Sequence, residues 1–536
     1  MNVAAPLLDL ANKQPQKQAV VCPLKKWWSS SQSYEHLTFY ELEKRSLFYA
    51  HQFLNFGLKR GDRVLVFIKP CLDFSVVTFA LFRAGLVPIF IDPGMGKKML
   101  LEAIDHIKPQ AMIAEPAVFA LKLIYRHSFR HIKVSLNIAK LKKKAKVWNH
   151  DSKLTPLMIE LSANEEAAIL FTSGGTGRPK GVLYTHSIFN EQRKTLKEMF
   201  HLSDDDIDMP GFPLFALFTI TMGMTSVIPL MNPAKPAQVN PKYVVKNIQD
   251  HAATFIAGSP AIWQRVGEYC RDHNVKLESV KYLVMFGAPV SVALHHMWKD
   301  ILPSGDTYTP YGATESLPVT CLSGRELDHD KQQLMNTGSG TCVGQAAAPS
   351  VTIRIAPITD EAIKSDDQVS WHKPNVLGEI CVQSPMVTPS YVGMPEQTSL
   401  AKIISKTTLW HRMGDLGYLD EHGQLWFCGR KSQRLIIQNK VVATVPLENI
   451  VNNLSFVKRS ALIQIKDHAY FVIEHQQKQN LNESEIKEIT DLLALYSTLT
   501  IKDIFTIDQF PVDVRHNIKI DRKKLAISTA HKEGLS

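Results

Sequence analysis

The stretch RVLVFIKPCLDFSVVTFALFRAGLVPIFI, residues 63–91, decides the fold. Arg63 to Ile68 reads as a short strand, and Val87 to Ile91 reads as the next. Between them a helix carrying Phe79, Ala80, Leu81 and Phe82 ends near Gly85. Strands that alternate with helices imply parallel sheets covered on both faces, because a parallel neighbour can be reached only by a crossover that packs back on the sheet. Upstream, a helical pattern through Leu42, Leu47, Phe53 and Leu54 runs to Gly57, before the turn Lys59-Arg60-Gly61-Asp62. Downstream, a helix around Leu100 to Ile107 and a strand from Ala111 to Ala114 continue the alternation, which returns at Ala253 to Ala257 and at Leu283 to Phe286. The expected fold is α/β, with a large N-terminal body of α/β subdomains holding parallel-type sheets.

The texture changes near Cys428. Gly429-Arg430-Lys431-Ser432-Gln433-Arg434 is a polar interruption between the strand-like runs Gln424 to Phe427 and Leu435 to Ile437. About a hundred residues follow, with strands at Ala461 to Ile465 and Ala469 to Ile473 and a helix around Ile486 to Leu493. We expect two domains, a body at 1–428 and a hinged α+β unit at 429–536. The length of 536 residues suits several folding units. Apolar residues at 45% and charged residues at 21% exclude disorder and fibrous repeats. The formal charge of +10 favours anionic partners without choosing among them. The seven cysteines, none at Cys-x-x-Cys spacing, read as reduced structural thiols. With an early Asp9 and no apolar run of signal-peptide length at the start, a cytoplasmic protein is expected.

Two stretches bear on partners. Pro210 to Met231 is uncharged over about the length that spans a bilayer. Pro210, Pro213 and Pro229, with Gly211 and Gly223, argue instead for a buried wall or an apolar substrate pocket. Between Lys122 and Lys146 lie Arg126, Arg130, Lys133, Lys140, Lys142, Lys143 and Lys144. This basic segment reads as a solvated helix and linker, or as a dock for acidic lipid or a pathway enzyme. No nucleic-acid motif or aromatic interleaving accompanies it, and no nucleic-acid partner is expected.

The strongest chemical signal is the apolar run Ile169-Leu170-Phe171 leading into Thr172-Ser173-Gly174-Gly175-Thr176-Gly177-Arg178-Pro179-Lys180. Glycines let backbone N–H groups turn toward phosphate oxygens, hydroxyls add donors, and Lys180 adds charge. The order is not that of a Walker loop. Read alone, the residues also suit a polar surface turn.

The loop resembles the phosphate-binding signature of the adenylate-forming superfamily, which includes acyl-CoA synthetases, luciferases and peptide-synthetase adenylation domains. Its members use ATP and Mg2+ to turn a carboxylate into an acyl-adenylate. The other signatures follow in order. Gly287-Ala288-Pro289 resembles the strand end beside adenine, and Tyr311-Gly312-Ala313-Thr314-Glu315 the aromatic-Gly-x-Thr-Glu motif. The resemblance implies that Tyr311 stacks on adenine, Thr314 touches the α-phosphate and Glu315 holds magnesium. Gly378-Glu379-Ile380 matches the next motif, and Trp410 to Gly417 the one after, where Asp415 would bind the ribose hydroxyls. Gly429-Arg430 matches the hinge motif, whose arginine also reaches the ribose. Lys519 matches the C-terminal lysine that stabilises the adenylation transition state; next to Arg522, Lys523 and Lys524 it also suits a basic tail. Catalytic roles thus fall to Lys519, Glu315, Thr176 and Lys180.

Three departures matter. Ser432 stands where the family hinge is usually Asp or Lys. The glycine pair that opens the CoA passage is replaced by Ile437-Gln438-Asn439-Lys440-Val441, more like a turn between strands. Phe212-Pro213-Leu214-Phe215 lacks the histidine often found there. These put a CoA-dependent second half-reaction in doubt and leave adenylation untouched. The runs Gly338 to Gly344, Trp426 to Lys431 and Arg515 to Ile520 closely resemble the bacterial branch that makes β-lactones in long-chain olefin biosynthesis, often labelled fatty-acid–CoA ligases. In that branch the hydroxyl of a long-chain 2-alkyl-3-hydroxy acid displaces AMP, and no CoA is needed. Phe212, Phe215, Leu217 and Phe218 would suit its alkyl chains, or plain core packing. The expected activity is adenylation of a long-chain acid followed by lactone closure, with a fatty-acid–CoA ligase and an inactive binding scaffold as the alternatives.

Overall fold

The computed structural model describes residues 1–24, 32–148, 154–172, 178–405, 407–512 and 520–534. The deciding stretch folds as strand Arg63–Phe67, helix Leu72–Arg83 and strand Val87–Phe90, with the strands parallel and Leu65 opposite Ile89. Val64 and Val66 enter one hydrophobic cluster and Leu65 another, so both faces of the sheet are covered. The first sheet runs in the order Val134–Asn137, Ala111–Ala114, Arg63–Phe67, Val87–Phe90, Glu166–Thr172 and Lys180–Thr185. Its pairs are parallel except the last, which is antiparallel.

A second sheet of nine strands has Ile207–Pro210, Phe255–Gly258 and Tyr282–Met285 as its parallel centre, flanked by Asp306–Ala313 and the antiparallel Ser316–Ser323. The third sheet departs from the alternation. Gly378–Gln383, Leu409–Leu419 and Leu425–Arg430 pair antiparallel; a short loop joins the last two, whereas the helix Pro395–Ala401 and the strand Lys402–Ile404 lie between the first two. Beyond it, Val457–Ile465, His468–His475 and Ile501–Ile507 form a small sheet with the helices Thr444–Asn452, Glu483–Tyr496 and Arg522–Lys532.

Several local expectations change. Gly429 and Arg430 do not begin the polar break; they continue a strand, and the break is the short 3-10 turn Lys431–Gln433. Gln438 and Asn439, both at positive φ, make a two-residue hairpin turn between Leu435–Ile437 and Lys440–Val442. The basic segment is not simply helix and linker, because Val134–Asn137 pairs in parallel with Ala111–Ala114 as the sheet edge. Pro210 to Met231 breaks into a strand end, a 3-10 turn, the short helix Ala216–Thr221 and the strand Thr225–Val227. Among the described residues no helix is long and apolar enough to cross a membrane. All seven cysteines are free.

One buried ion pair locks the helices over the first sheet. Arg83 Nη1 donates to Glu43 Oε2 at 2.7 Å and Nη2 to Oε1 at 2.9 Å, with both side chains almost fully buried. The remaining donors reach Ser46 Oγ, the Glu43 carbonyl and the Leu157 carbonyl, each at 2.9 Å. Removing one partner strands a buried charge, so Glu43→Leu should cost about 3–5 kcal/mol in denaturant unfolding, and the double variant Glu43→Leu/Arg83→Met should recover most of it. A single-variant loss under about 1 kcal/mol would mean that the pair is effectively solvated.

Candidate active site

Thr172 ends one strand and Lys180 begins the next, directly opposite it. Ser173, Gly174, Gly175, Thr176 and Gly177 between them, and Lys519, lie outside the described residues. Lys180 is half-buried, with its Nζ 4.8 Å from the centre of the Tyr391 ring. Burial lowers its pKa, against the pull of Glu315.

Glu315 follows the strand Asp306–Ala313 and is buried. Tyr391 donates its hydroxyl to Glu315 Oε1 at 2.7 Å. Burial, and then the Glu315 charge, raise the Tyr391 pKa, so the phenol stays a donor. Thr388 donates its N–H (2.9 Å) and its hydroxyl (3.1 Å) to the Glu315 carbonyl, while Tyr184 donates to the Thr314 carbonyl at 2.6 Å. Gly312 permits the tight turn between the two strands, since a Cβ there would sit 2.8 Å from the Ser316 carbonyl oxygen. Glu315 Oε2 has no hydrogen-bond partner among the described residues. A lone carboxylate fits Mg2+, which takes most of its ligands from phosphates and water.

Tyr311, Asp415 and Arg430 form a second cluster. Asp415 and Arg430 are paired across neighbouring strands. Arg430 Nη1 lies 2.9 Å from Asp415 Oδ1, and Tyr311 donates to Asp415 Oδ2 at 2.7 Å. Asp415 raises the Arg430 pKa, and burial followed by Asp415 raises that of Tyr311 well above the ordinary phenol value. Asp415 is therefore held as an acceptor facing fixed donors. The Arg430 charge also feels Glu315, which ties the two clusters together.

Gly287, at φ +90°, turns the chain after Tyr282–Met285, with Gly287 and Pro289 exposed and Ala288 half-buried. Phe286, just before this turn, packs at a tilt against Phe215 with ring centres 4.8 Å apart. Phe212 and Phe218 lie 5.8 and 6.0 Å from Phe215, forming an aromatic wall beside the turn. Phe212 and Phe215 keep accessible surface, whereas Leu217 and Phe218 are buried in the core.

Sequence reasoning missed Tyr184, Thr388, Tyr391, Lys402 and His411. Lys402, on the strand Lys402–Ile404, is 2% exposed and donates to Thr388 Oγ1 at a long 3.4 Å. Burial lowers its pKa to about 7, with Glu315 opposing. His411 sits opposite Lys402 and gives its Nδ1–H to the Ala401 carbonyl at 3.1 Å. Burial, and then the Lys402 charge, hold it neutral. Run as text, Ala401-Lys402-Ile403-Ile404 looks like an ordinary edge strand with an exposed lysine, and nothing in it signals burial. Glu379, from the Gly378-Glu379-Ile380 motif, proves to be an anchor. It is fully buried between Arg412, whose Nη2 is at 2.6 Å, and Lys431, whose Nζ is at 2.9 Å.

Comparison with known proteins gives a consistent result. The family described as "AMP-binding enzyme" matches residues 8–392. An olefin beta-lactone synthetase from Stenotrophomonas maltophilia is 34% identical over 543 residues, covering 98% of this chain and 97% of the relative. One from Xanthomonas campestris is 34% identical over 553 residues, covering 99% and 97%. A 2-succinylbenzoate–CoA ligase from Bacillus cereus is 24% identical, covering 81% of each. In fold, the chain resembles the crystal structure of ATP-bound MatB from Rhodopseudomonas palustris, with TM-score 0.77, 20% identity and 99% of each chain covered.

The Lys402 environment has a measurable signature. A lysine whose pKa falls from 10.5 to about 7 on folding binds its proton less well folded than unfolded. The penalty is full below about pH 7 and is relieved as pH rises toward 10.5, so this group makes stability rise with pH across that window. Lys402→Met should be more stable than wild type at pH 6, with the difference shrinking by up to about 1.4 kcal/mol per pH unit above 7. Parallel stability–pH curves for the two proteins would contradict this.

Proposed function

The chain belongs to the AMP-binding enzyme family, and we propose that it converts a long-chain 2-alkyl-3-hydroxy acid into a β-lactone at the expense of ATP. The observation that carries this reading is the near-full-length 34% identity to two olefin beta-lactone synthetases. In the first step the substrate carboxylate attacks the α-phosphate and pyrophosphate leaves. Anions converge there, and Lys180, the loop Thr172–Gly177 and Lys519 counter the growing charge. Asp415 and Arg430 bind the ribose, Tyr311 and the Gly287–Pro289 turn hold the adenine, and Thr314 meets the α-phosphate. Glu315 holds Mg2+, which when bound neutralises the phosphates. In the second step the 3-hydroxyl oxygen attacks the acyl carbon, the bond to the AMP oxygen breaks, and the hydroxyl proton is lost. The nucleophile is already in the molecule, so closure needs no CoA.

The hairpin turn at Gln438 and Asn439 occupies the place of the family's CoA-passage glycines and supports this choice. The aromatic wall of Phe212 and Phe215, with Leu217 and Phe218 behind it, suits alkyl chains. The division into a body and a mobile C-terminal unit that carries Lys519 to the site belongs to the same reading, with the boundary moved from 428/429 to the turn Lys431–Gln433 because Gly429 and Arg430 are strand residues paired with the body. So do a cytoplasmic location and contact with membrane or a pathway enzyme through the basic segment 122–146. The 24% identity to CoA ligases supports a second reading, a fatty-acid–CoA ligase.

Purified protein given ATP, Mg2+ and a long-chain 2-alkyl-3-hydroxy acid without CoA should release AMP and a product one water lighter than the acid by mass spectrometry. A thioester formed from a simple fatty acid, and only with CoA present, would favour the ligase. Lys519→Ala should slow adenylation by at least about 10²-fold while ATP binding stays near normal, because its contact forms in the transition state. Asp415→Ala should weaken ATP binding first, and an unchanged affinity in calorimetry would remove the ribose assignment.

A further inference from the structure

The helix Pro116–Ile124 differs from an ordinary surface helix in being apolar on both its inward and its outward face. Its sequence is apolar at every position but one, yet none of its residues is buried. Val118, Phe119 and Leu121 pack partly against the first-sheet core. The lone lysine, Lys122, also turns inward, where Nζ reaches Ser135 Oγ at 2.7 Å and burial lowers its pKa. The outward face holds Pro116, Ala117, Ala120, Leu123 and Ile124, with Leu123 67% and Ile124 70% exposed. A water-facing helix normally places its charge outward and its leucines inward, so this arrangement needs a partner for the apolar face.

The surroundings indicate which partner. Just past the helix, Arg126, Arg130 and Lys133 are exposed, and Arg126 and Arg130 share a cavity wall with Leu123. Arg130 is engaged by Asp105, whereas Arg126 and Lys133 have no carboxylate partner among the described residues. Under Leu123 lies a cavity of about 490 Å³ whose walls combine Phe119, Phe129 and Ile132 with Lys122, Arg126 and Arg130. An apolar face with a cationic fringe is the pattern of an interfacial membrane helix. A second copy would bring the same cations face to face, which like-charge repulsion opposes. We propose that this face docks the protein on an anionic lipid bilayer, with Leu123 and Ile124 entering the interface and Arg126 and Lys133 meeting headgroup phosphates. The surface lies outside the proposed nucleotide site, so the proposal stands whichever product that site releases.

The test is co-sedimentation of the full chain with phosphatidylcholine vesicles, with and without phosphatidylglycerol. Binding should require the anionic lipid and weaken at high salt. Leu123→Ser/Ile124→Ser should lower the partition coefficient at least about tenfold. Arg126→Gln/Lys133→Gln should lower it about fivefold per charge removed. Both variants should keep the wild-type melting temperature and ATP–pyrophosphate exchange with a short, water-soluble acid, which separates loss of docking from loss of fold or chemistry. Equal binding to neutral vesicles, or variants that partition like wild type, would overturn the proposal. So would a dimer, formed without vesicles and dissolved by Leu123→Ser/Ile124→Ser, in a protein that ignores lipid.

Discussion

The carbonyl oxygens of Thr314 and Glu315 accept hydrogen bonds from Tyr184, on the first sheet, and from Thr388, which follows the strand Gly378–Gln383 of the third. Both acceptors lie in the turn that joins two strands of the second sheet, so two consecutive residues tie all three sheets together. The segment that brings Thr388 is itself sewn to the first sheet. Leu183 donates to the Ser390 carbonyl at 3.2 Å and Val392 to the Gly181 carbonyl at 2.8 Å. Each such bond is worth about 1 kcal/mol net, but leaving one buried partner unsatisfied costs about 1–3 kcal/mol. Small shifts among the sheets are thereby resisted, and the Glu315 carboxylate is held where the strands converge.

That junction also sets the electrostatics. Lys180 and Lys402 are both disfavoured as cations by burial, and Glu315 only partly compensates. Among the described residues neither lysine has a carboxylate within ion-pair distance. A site built this way is short of negative charge until an anion enters, which makes polyphosphate binding favourable and strongly dependent on the ligand's own charge. The Asp415 cluster is balanced differently. Its carboxylate already faces an arginine and a phenol, and such a preset acceptor suits neutral hydroxyls better than phosphate.

The alternation of strand and helix through residues 63–91 carries over directly into the first sheet, because a parallel strand buried on both faces leaves an apolar run that is visible in one dimension. The third sheet was not legible in this way. Its strands pair antiparallel, and the length of Leu409–Leu419 follows from pairing with Gly378–Gln383 on one side and Leu425–Arg430 on the other. Gly429 and Arg430 look like part of a polar break, yet register with Leu416 and Asp415 makes them strand. Local propensity is overruled there by a cross-strand partner.

What the sequence by itself determined is the set of motif residues and their chemistry. Lys180, Tyr311, Glu315, Asp415 and Arg430 carry functional groups whose types and order can be read in the chain, as can the turn at Gln438 and Asn439. Only the tertiary structure decided which side chains share a site. Tyr391 reaches Glu315 across 76 residues and Tyr311 reaches Asp415 across 104. It also decided which lysines are buried and which leucines face water. Lys402 and Lys122 look alike in sequence to any solvated lysine, and Leu123 looks like a core leucine. Burial depends on what packs against a position from elsewhere in the chain, and local sequence carries no record of that.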